Sequence, residues 1–259
     1  MTLESGQTAR VAAQARLAVR PGAGRRVLRS AGSGLKYALL GLGALAMILP
    51  FADMFVGALR SPADVFANPP RYWPRDPQWD VYARVFAELP MLRWLVNSVV
   101  VTVTITILQV VTSTMAGYAL AKYAFRGNGA IFRLVMGAQI FPFFLFIIPI
   151  FFLLRFAPLM GGNNIAGQGG AGLLGTYAAL VLPFVVTWYG VFLMRQFFLT
   201  IPDDLLDAAR LDGASEYRIF RSIMLPLVKP AIATLTLFSF VYHWNEFIWT
   251  MTVTRVAPD

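Results

Sequence analysis

The sequence contains no cysteine and only one histidine, His243. Without cysteine the chain has no disulfide framework and no thiolate metal ligands, and a single imidazole cannot form a metal centre. Charged residues are also few, at 14% of 259 residues, whereas a soluble domain carries roughly a quarter. Because 58% of the residues are hydrophobic, the composition predicts an integral membrane protein.

The motifs of common catalytic sites are missing as well. The sequence has no HExxH, no glycine-rich phosphate loop followed by Lys and Ser or Thr, and no nucleophile beside a base. We therefore expect no enzymatic activity, no metal site, and no cofactor or nucleotide bound by this chain. The net charge of +9 does not favour nucleic-acid binding, because no aromatic side chains are interleaved among the six N-terminal arginines for base stacking.

Long apolar runs are what the sequence does contain. About 20 helical residues cross a bilayer core of about 30 Å, and five segments meet this requirement. The sequence thus predicts an all-α fold, a polytopic transmembrane helical bundle over residues 35–259, preceded by a disordered basic cytoplasmic tail at residues 1–34. The five expected spans are residues 35–59, 94–121, 131–156, 177–194 and 225–253.

Basic residues predict the orientation of these spans. Lys and Arg concentrate in the N-terminal tail, in the connection between spans two and three, and in the connection between spans four and five. These segments share one side by alternation, so that side is cytoplasmic and the N-terminus is cytoplasmic. A twin-arginine export signal at Arg25-Arg26 is the alternative, but the apolar run that follows is too long and has no clear cleavage site.

Two acids and several prolines lie within the apolar segments. Asp53 and Glu246 are candidates for a functional intramembrane charge, so an ion-coupled secondary transporter is one hypothesis for the chain. Prolines remove a backbone donor and kink helices, and such kinks are tolerated where neighbouring helices or a water-filled cavity satisfy the freed carbonyls. This pattern favours a bundle that forms a pathway over a simple anchor. The prolines are Pro142, Pro149, Pro183, Pro226 and Pro230.

The segment 200–230 is the most polar stretch between two spans, and it predicts a helix, a sharp turn and a second helix. Pro202 suits a first helical turn, Gly213 suits a left-handed residue at a helix end, and Ser215 can cap the second helix. One apolar stripe is expected on the first helix. From the pattern alone, an interfacial linker and a docking element are equally good interpretations. The stripe consists of Ile201, Leu205, Ala208 and Ala209.

The spacing within this segment resembles a known motif. Asp207-Ala208-Ala209, three residues, Gly213, nine residues, and Ile223-x-Leu225-Pro226 resemble the EAA motif of membrane subunits of bacterial ATP-binding-cassette importers. The longer string is similar to the carbohydrate branch, specifically the G-type permease of maltose transporters. Weaker matches in the same order are Asn97-Ser98, Gly117-Tyr118-Ala119-Leu120-Ala121, Phe125-Arg126-Gly127 and Trp244-Asn245-Glu246-Phe247.

The resemblance implies a type I importer permease in the bacterial cytoplasmic membrane, moving a sugar or a related solute by alternating access. Its loop at residues 200–226 would form a coupling helix seated in a cleft of a separate ATPase, which uses the ATP. Implied partners are an ATPase dimer, a second homologous permease and an extracytoplasmic solute-binding protein. The implied coupling residues are Leu205, Asp207, Ala208, Ala209, Asp212, Gly213 and Pro226, and the candidates for the translocation path are Trp244, Asn245 and Glu246.

The sequence departs from the family pattern in three ways. Asp207 replaces the usual Glu, the segment 161–172 resembles a loop insertion, and five spans are visible where the family has six. We therefore expect the sequence to be a C-terminally truncated piece of a longer subunit. Besides the ion-coupled carrier, a membrane scaffold or accessory subunit is a further hypothesis, and binding of an ATPase would discriminate it.

Overall fold

The computed structural model describes residues 23–69 and 71–254, with side chains from residue 34 onwards. The chain divides after Pro90 into two compact units. Each described helix follows from an apolar or amphipathic run in the sequence, and the described residues contain no β-strand. The predicted all-α fold is confirmed.

The first unit is a long helix followed by two short ones. Helix α1 spans Ala23–Ala58, α2 spans Pro62–Val65 and α3 spans Asp80–Glu88. Helix α1 thus begins within the stretch that the sequence assigns to the tail, and the first part of that tail, residues 1–22, lies outside the described residues. The side chain of Asp53, one of the two candidate intramembrane charges, is ion-paired with Arg60 at 3.0 Å.

The second unit begins with its longest described helix. Helix α4 spans Met91–Lys122, and shorter helices follow it in sequence. They are α5 (Asn128–Ala138), α6 (Ile147–Arg155), α7 (Tyr177–Val181), α8 (Trp188–Leu199), α9 (Asp204–Leu211), α10 (Glu216–Ile219), α11 (Leu225–Leu227), α12 (Lys229–Trp244) and α13 (Ile248–Thr254).

Only two of the described helices are by themselves long and apolar enough to cross a membrane, at residues 34–58 and 91–122. Three further pairs of helices meet that test together, but each is bent at a short break, by 94°, 44° and 76°. Counting each bent pair once gives up to five spans, the number predicted. The bent pairs join residues 128–138 with 143–155, 177–184 with 188–199, and 216–227 with 229–244.

The predicted fifth span, residues 225–253, is wrong as a single helix. Helix α12 ends at Trp244, and three residues separate it from α13. The Asn245 side chain donates a hydrogen bond to the Val241 carbonyl at 2.7 Å, and the Glu246 carboxylate accepts from the Trp249 and Thr250 amides at 2.6 and 3.1 Å. These side-chain bonds satisfy the backbone at the end of one helix and the start of the next, so they compete with a continuous helix.

Helices α4 and α8 form the most extensive contact of the second unit, and α12 packs against α4 next to them. Glycine allows the close approach. A Cβ on Gly117 would lie 2.6 Å from the Met194 Cβ and 2.8 Å from the Arg195 amide nitrogen, and one on Gly190 would lie 2.3 Å from the Ser113 Oγ. Small residues of this kind let membrane helices associate through close van der Waals packing.

Two buried clusters lie at opposite ends of this helix group. The first surrounds Tyr118 and Phe198 and includes residues of α9, and the second surrounds Trp249 and Phe184. The loop 157–176 belongs to the second end, since the Tyr177 hydroxyl donates to the Asn97 side chain at 2.7 Å near the start of α4. The uncharged loop and the polar segment after α8 therefore lie at opposite ends of α4.

Candidate functional site

The polar segment forms the predicted helix, turn and helix, with one difference at its start. Helix α9 begins at Asp204 with Asp203 at the N-cap, so Pro202 lies before the cap and not in the first turn. Asp204 and Asp207 lie in the first turn, where the helix dipole favours negative charge. The prediction for Pro202 is wrong by two residues because the Asp203 carbonyl accepts the Leu206 and Asp207 amides and so starts the helix.

The turn after α9 confirms the roles predicted for Gly213 and Ser215. Gly213 has φ +75°, its amide donates to the Arg210 carbonyl, and the Ala214 amide donates to the Ala209 carbonyl, each at 3.0 Å. This pair of bonds is a Schellman motif, which needs a left-handed residue. The Ser215 hydroxyl then accepts from the Arg218 amide at 3.4 Å and caps α10.

The four residues predicted to form one apolar stripe on α9 do not lie on one face of the helix. Leu206 and Ala209 are buried, while Leu205 is 44% exposed and Ala208 is exposed. Ile201 is buried too, but it precedes the helix. The helical spacing from Ile201 to Leu205 and Ala208 therefore does not place these three residues on the same face. Helix α9 therefore has an inner apolar face that packs on the cluster around Tyr118 and Phe198. Its outer apolar face is Leu205, Ala208 and Leu211, the last 89% exposed.

An ion pair ties the start of α9 to the end of α4. The Lys122 Nζ lies 2.5 Å from the Asp203 Oδ1 and donates to the Ile201 carbonyl at 2.5 Å. The Lys122 side chain is only 3% exposed, so its ammonium is held by these oxygens rather than by bulk water. In the sequence, Lys122 is one of the basic residues between spans two and three, which predict the orientation of the spans but not this ion pair.

A second set of polar contacts ties the end of α9 to the same end of α4. The Tyr123 hydroxyl donates to the Glu216 Oε2 at 2.6 Å, and the Arg210 Nε donates to the Glu216 Oε1 at 2.8 Å. These two bonds lower the pKa of the Glu216 carboxyl, that from Arg210 contributing more. Desolvation and the carboxylate together raise the pKa of Tyr123. Glu216 is therefore ionised, and Tyr123 neutral, at neutral pH.

We call these contacts the coupling-end anchor: Lys122 with Asp203, and Tyr123 with Glu216 and Arg210. The Arg210 Nη1 also donates a hydrogen bond to the Asp207 Oδ1 at 3.1 Å. The anchor connects both ends of α9 to Lys122 and Tyr123, at the C-terminal end of α4. The sequence could have indicated it only through the unusual density of charge at these positions, because the partners are 81 and 93 residues apart.

The remaining motif residues lie around this helix. Asp207 and Asp212 are exposed on α9 and at its C-cap, where a second molecule can reach them. Pro226 is exposed in α11, directly after a π-helical segment at Phe220–Met224 and just before the 76° bend at Val228. The structure thus brings six of the seven predicted coupling residues together at α9 and its turn, and places Pro226 where the second helix bends into the last long helix.

A second site lies between α4, α8 and α12, where a cavity of about 740 Å³ opens beside the break in the fourth span. Pro183 has no amide hydrogen, and the chain leaves the helical path between Phe184 and Trp188. The carbonyls freed there are satisfied from α4: Gln109 Nε2 donates to the Phe184 carbonyl at 2.7 Å, and Thr112 Oγ1 donates to the Val185 carbonyl at 2.8 Å. A broken helix inside a membrane requires such partners.

Gln109 also joins α12 to this network. Its Nε2 lies 3.0 Å from His243 Nε2, and its Oε1 accepts from the Ser239 hydroxyl at 2.6 Å. We call Gln109, Ser239 and His243 the mid-span network; all three are buried. Sequence reasoning missed these residues, although a glutamine within an apolar span was a usable signal.

The three residues predicted for the translocation path lie elsewhere in the described chain. Trp244 stacks on Phe240 with ring centroids 5.6 Å apart, and Asn245 bonds the end of its own helix. Glu246 binds the amides at the start of α13. None of the three is among the described residues that line the cavity.

Comparison with known proteins agrees with this architecture. Residues 109–256 match the family model described as "Binding-protein-dependent transport system inner membrane component". In structure, the chain resembles a bacterial ABC transporter involved in the import of the acidic polysaccharide alginate, with a TM-score of 0.71. That likeness covers 91% of this chain and 77% of the other at 24% identity, and it supports the fold alone.

Several permease proteins are similar in sequence over most of the chain. A diacetylchitobiose uptake system permease protein of Streptomyces coelicolor is 30% identical, covering 83% of this chain and 67% of that protein. An arabinooligosaccharides transport system permease protein of Halalkalibacterium halodurans is 33% identical, covering 82% and 72%. An sn-glycerol-3-phosphate transport system permease protein of Yersinia pestis is 30% identical, covering 85% and 75%.

None of these similarities supports the hypothesis of an ion-coupled carrier. The family is one of transport proteins rather than enzymes. The helical bundle, the EAA-type loop and the family match agree with one another. This chain belongs to the family of binding-protein-dependent transport system inner membrane components, and it is a permease subunit of an ATP-binding-cassette importer.

Proposed function

We propose that this chain carries a sugar or a related solute across the bacterial cytoplasmic membrane by alternating access, with its N-terminus in the cytoplasm. The proposed assembly contains a second homologous permease, an ATPase dimer and an extracytoplasmic solute-binding protein. Similarity to permease proteins of oligosaccharide uptake systems supports the solute class, and the description of the matched family supports the binding protein. We also propose that this chain binds no cofactor, and that the ATPase binds and hydrolyses the ATP.

The observation that carries the coupling role is the two-faced helix α9. Its inner face, Leu206 and Ala209, is buried against the spans, while its outer apolar face is exposed at a polar surface. An amphipathic helix with a second, unburied apolar face suits the groove of a partner protein. The ATPase is proposed to bind that face through Leu205, Ala208 and Leu211.

Side chains next to the outer apolar face complete the proposed contact. Asp207 and Asp212 are exposed and can meet basic groups of the ATPase. The Gly213 turn and the bend after Pro226 then connect the docked helix to α12. Closure of the ATPase dimer would move α9. The end of α4 would follow through the anchor, and α12 would follow through the connecting chain, as the pathway changes sides.

The test is reconstitution of the whole assembly in liposomes with ATP inside. Uptake should stop without ATP and persist when ionophores collapse the ion gradients. Ala208→Lys should abolish co-purification of the ATPase and uptake, because it puts a charge and a long side chain on the docking face. The matched control is Ala166→Lys, the same change at an exposed position in the loop at the opposite end of α4. Equal ATPase binding by both variants would refute the docking assignment.

A further inference from the structure

An open cleft of about 700 Å³ lies at the C-terminal end of α4, beside the coupling-end anchor. The charged side chains that line it are Lys122, Arg126, Arg195 and Asp203. The Lys122 ammonium is nearly buried and is paired with Asp203 at 2.5 Å. Neither Arg126 nor Arg195 forms an ion pair with a described residue, so within this chain the two arginines give the cleft a net positive charge.

The Arg195 guanidinium is held in place by two contacts. Its Nε donates a hydrogen bond to the Leu120 carbonyl at 3.3 Å, and its Cζ lies 4.0 Å from the centre of the Phe132 ring. These contacts leave both Nη groups without a hydrogen bond to a described residue. A fixed guanidinium with unused terminal N–H groups matches the geometry of an anion that offers two oxygens, such as a phosphate group.

The chain that enters α5 adds a second cation and a helix N-terminus to the same cleft. Arg126 is exposed, and its guanidinium is free to turn towards a ligand. Helix α5 begins after Gly127, which has φ +97° and no side chain to cap the first amides, and Gly129 of the first turn lines the cleft. Uncapped amides and the helix dipole add to the attraction that the arginines exert on an anion.

The surface next to the cleft is apolar. Phe132 of α5 and Phe192 of α8 stack with ring centroids 6.4 Å apart, about one helical turn from the cleft towards the middle of the spans. Phe192 is partly exposed, as are Ile131 and Leu134 of α5. Because the end of a span lies at the depth of the lipid headgroups, the arginines are at headgroup level and the apolar side chains at the level of the acyl chains. A free phosphate ion uses only the first of these surfaces, whereas a phospholipid uses both.

We propose that this cleft binds the headgroup phosphate of an anionic phospholipid, whose acyl chains lie along Ile131, Leu134 and Phe192. Basic pockets between membrane spans bind anionic headgroups in this way. The inference goes beyond the proposed function and is independent of the transported solute, since it requires only that the spans lie in a membrane. Because Lys122 and Asp203 line the same cleft, the bound lipid lies against the anchor that holds α9.

The experiment titrates the assembled transporter in detergent with lipid and counts the bound molecules by native mass spectrometry. The whole assembly is used, so that acidic groups of the other subunits compete for the arginines as they do in the membrane. The probes are phosphatidylglycerol and zwitterionic phosphatidylcholine with the same acyl chains, and inorganic phosphate serves as a competitor at constant ionic strength. We expect saturable binding of phosphatidylglycerol, about tenfold tighter than that of phosphatidylcholine, without displacement by phosphate. Arg126→Gln and Arg195→Gln should each weaken it about tenfold, because each removes a charge-assisted contact.

Arg133→Gln is the matched control, because Arg133 is an exposed arginine of α5 that does not line the cleft. Arg126→Gln keeps the site testable if Arg195→Gln disturbs the packing on Phe132. Equal affinities of Arg126→Gln and Arg133→Gln for phosphatidylglycerol would overturn the proposal, as would equal binding of the two lipids or displacement by inorganic phosphate. Co-purification of the ATPase is measured on the same preparations. A variant that loses the ATPase but keeps the lipid assigns its arginine to a subunit contact, which also overturns the proposal.

Discussion

The coupling-end anchor and the mid-span network perform the same task with different chemistry. Both fix α4 to segments far away in the sequence, the anchor to α9 and α10 and the network to the broken fourth span and α12. The anchor uses two carboxylates, an ammonium, a guanidinium and one phenol hydroxyl. The network uses an amide, a hydroxyl and a neutral imidazole.

The difference follows from the surroundings of each site. At the surface end, Asp203 and Glu216 are exposed to solvent, so their charge costs little desolvation. The exposed pair of Arg210 with Glu216 contributes only about 0–1 kcal/mol, whereas the buried Lys122 ammonium depends on Asp203 and the Ile201 carbonyl. In the middle of the helix group a charge would be costly, and neutral hydrogen bonds there contribute on average about 0.6 kcal/mol each. The two sites should therefore respond differently to substitution, salt and pH.

The largest effect is expected where both sites depend on one contact, the packing of α4 on α8. Gly117→Val places a branched side chain against the Met194 side chain and the Arg195 backbone, so the helices must separate. We expect a loss of about 1–3 kcal/mol or more in the free energy of unfolding. Gly137→Val is the control, since a Cβ there meets no atom within 4 Å. Unfolding in denaturing detergent measures both, and equal stabilities would contradict the close-packing account.

The next effect concerns the mid-span network alone. Gln109→Leu removes the partners of the Phe184 carbonyl, the Ser239 hydroxyl and His243 at once. We expect destabilisation by about 1–3 kcal/mol, because the freed polar groups remain buried. Added salt should not change this loss, since no charge is involved. Gln139→Leu, at an exposed position, should have almost no effect, and a comparable loss there would count against the network.

A smaller effect on stability, but a clear one on coupling, is expected at the anchor. Lys122→Met removes the ion pair with Asp203 and the bond to the Ile201 carbonyl. The free energy of unfolding should fall by about 1–2 kcal/mol, while uptake per ATP hydrolysed should fall further as α9 detaches from α4. Lys229→Met, at an exposed lysine of α12, is the control. If both variants keep the same ratio of uptake to ATP hydrolysis, Lys122 has no part in coupling.

The smallest effect is a pH dependence confined to the anchor. The folded-state pKa of Glu216 is lowered from 4.5, so its contribution to stability is present above pH 4.5 and is lost as the pH falls through the lower folded value. The protection factors of the α9 and α10 amides, which compare their hydrogen exchange with that of an unfolded chain at the same pH, should therefore fall below pH 4.5. Glu216→Gln should abolish that fall without altering the protection factors around Gln109. Unchanged acid sensitivity in the variant would assign it to another group.

Local geometry was predictable from the sequence where neighbouring residues determine it. The Gly213 turn and the Ser215 cap follow from residue type at a helix end, and both are confirmed. The face of α9 was not predictable from Ile201, because the helix begins only at Asp204. The break after Trp244 was hidden as well, since it depends on side chains of Asn245 and Glu246 that bond to backbone groups on either side.

The coupling-end anchor and the mid-span network could not be predicted from neighbouring residues, for a different physical reason. Gln109 meets Ser239 across 130 residues, and Tyr123 meets Glu216 across 93. No periodicity within one helix reports such pairs, since they depend on which helices become neighbours. The prolines that break the spans are visible in the sequence, and the backbone at the break in the fourth span is satisfied by Gln109 of the network and by Thr112. The predicted pathway-forming bundle is thus supported, while its polar groups required the tertiary structure.

The central claim, that the outer apolar face of α9 binds the ATPase, has one direct test. Because the sequence contains no cysteine, Ala208→Cys gives the chain a single thiol on that face. We predict that the assembled transporter protects this thiol from a maleimide and that a short bifunctional reagent cross-links it to the ATPase, whereas Ala166→Cys stays reactive and does not cross-link. Equal maleimide reactivity at both positions, with no cross-link from Ala208→Cys, would contradict the account.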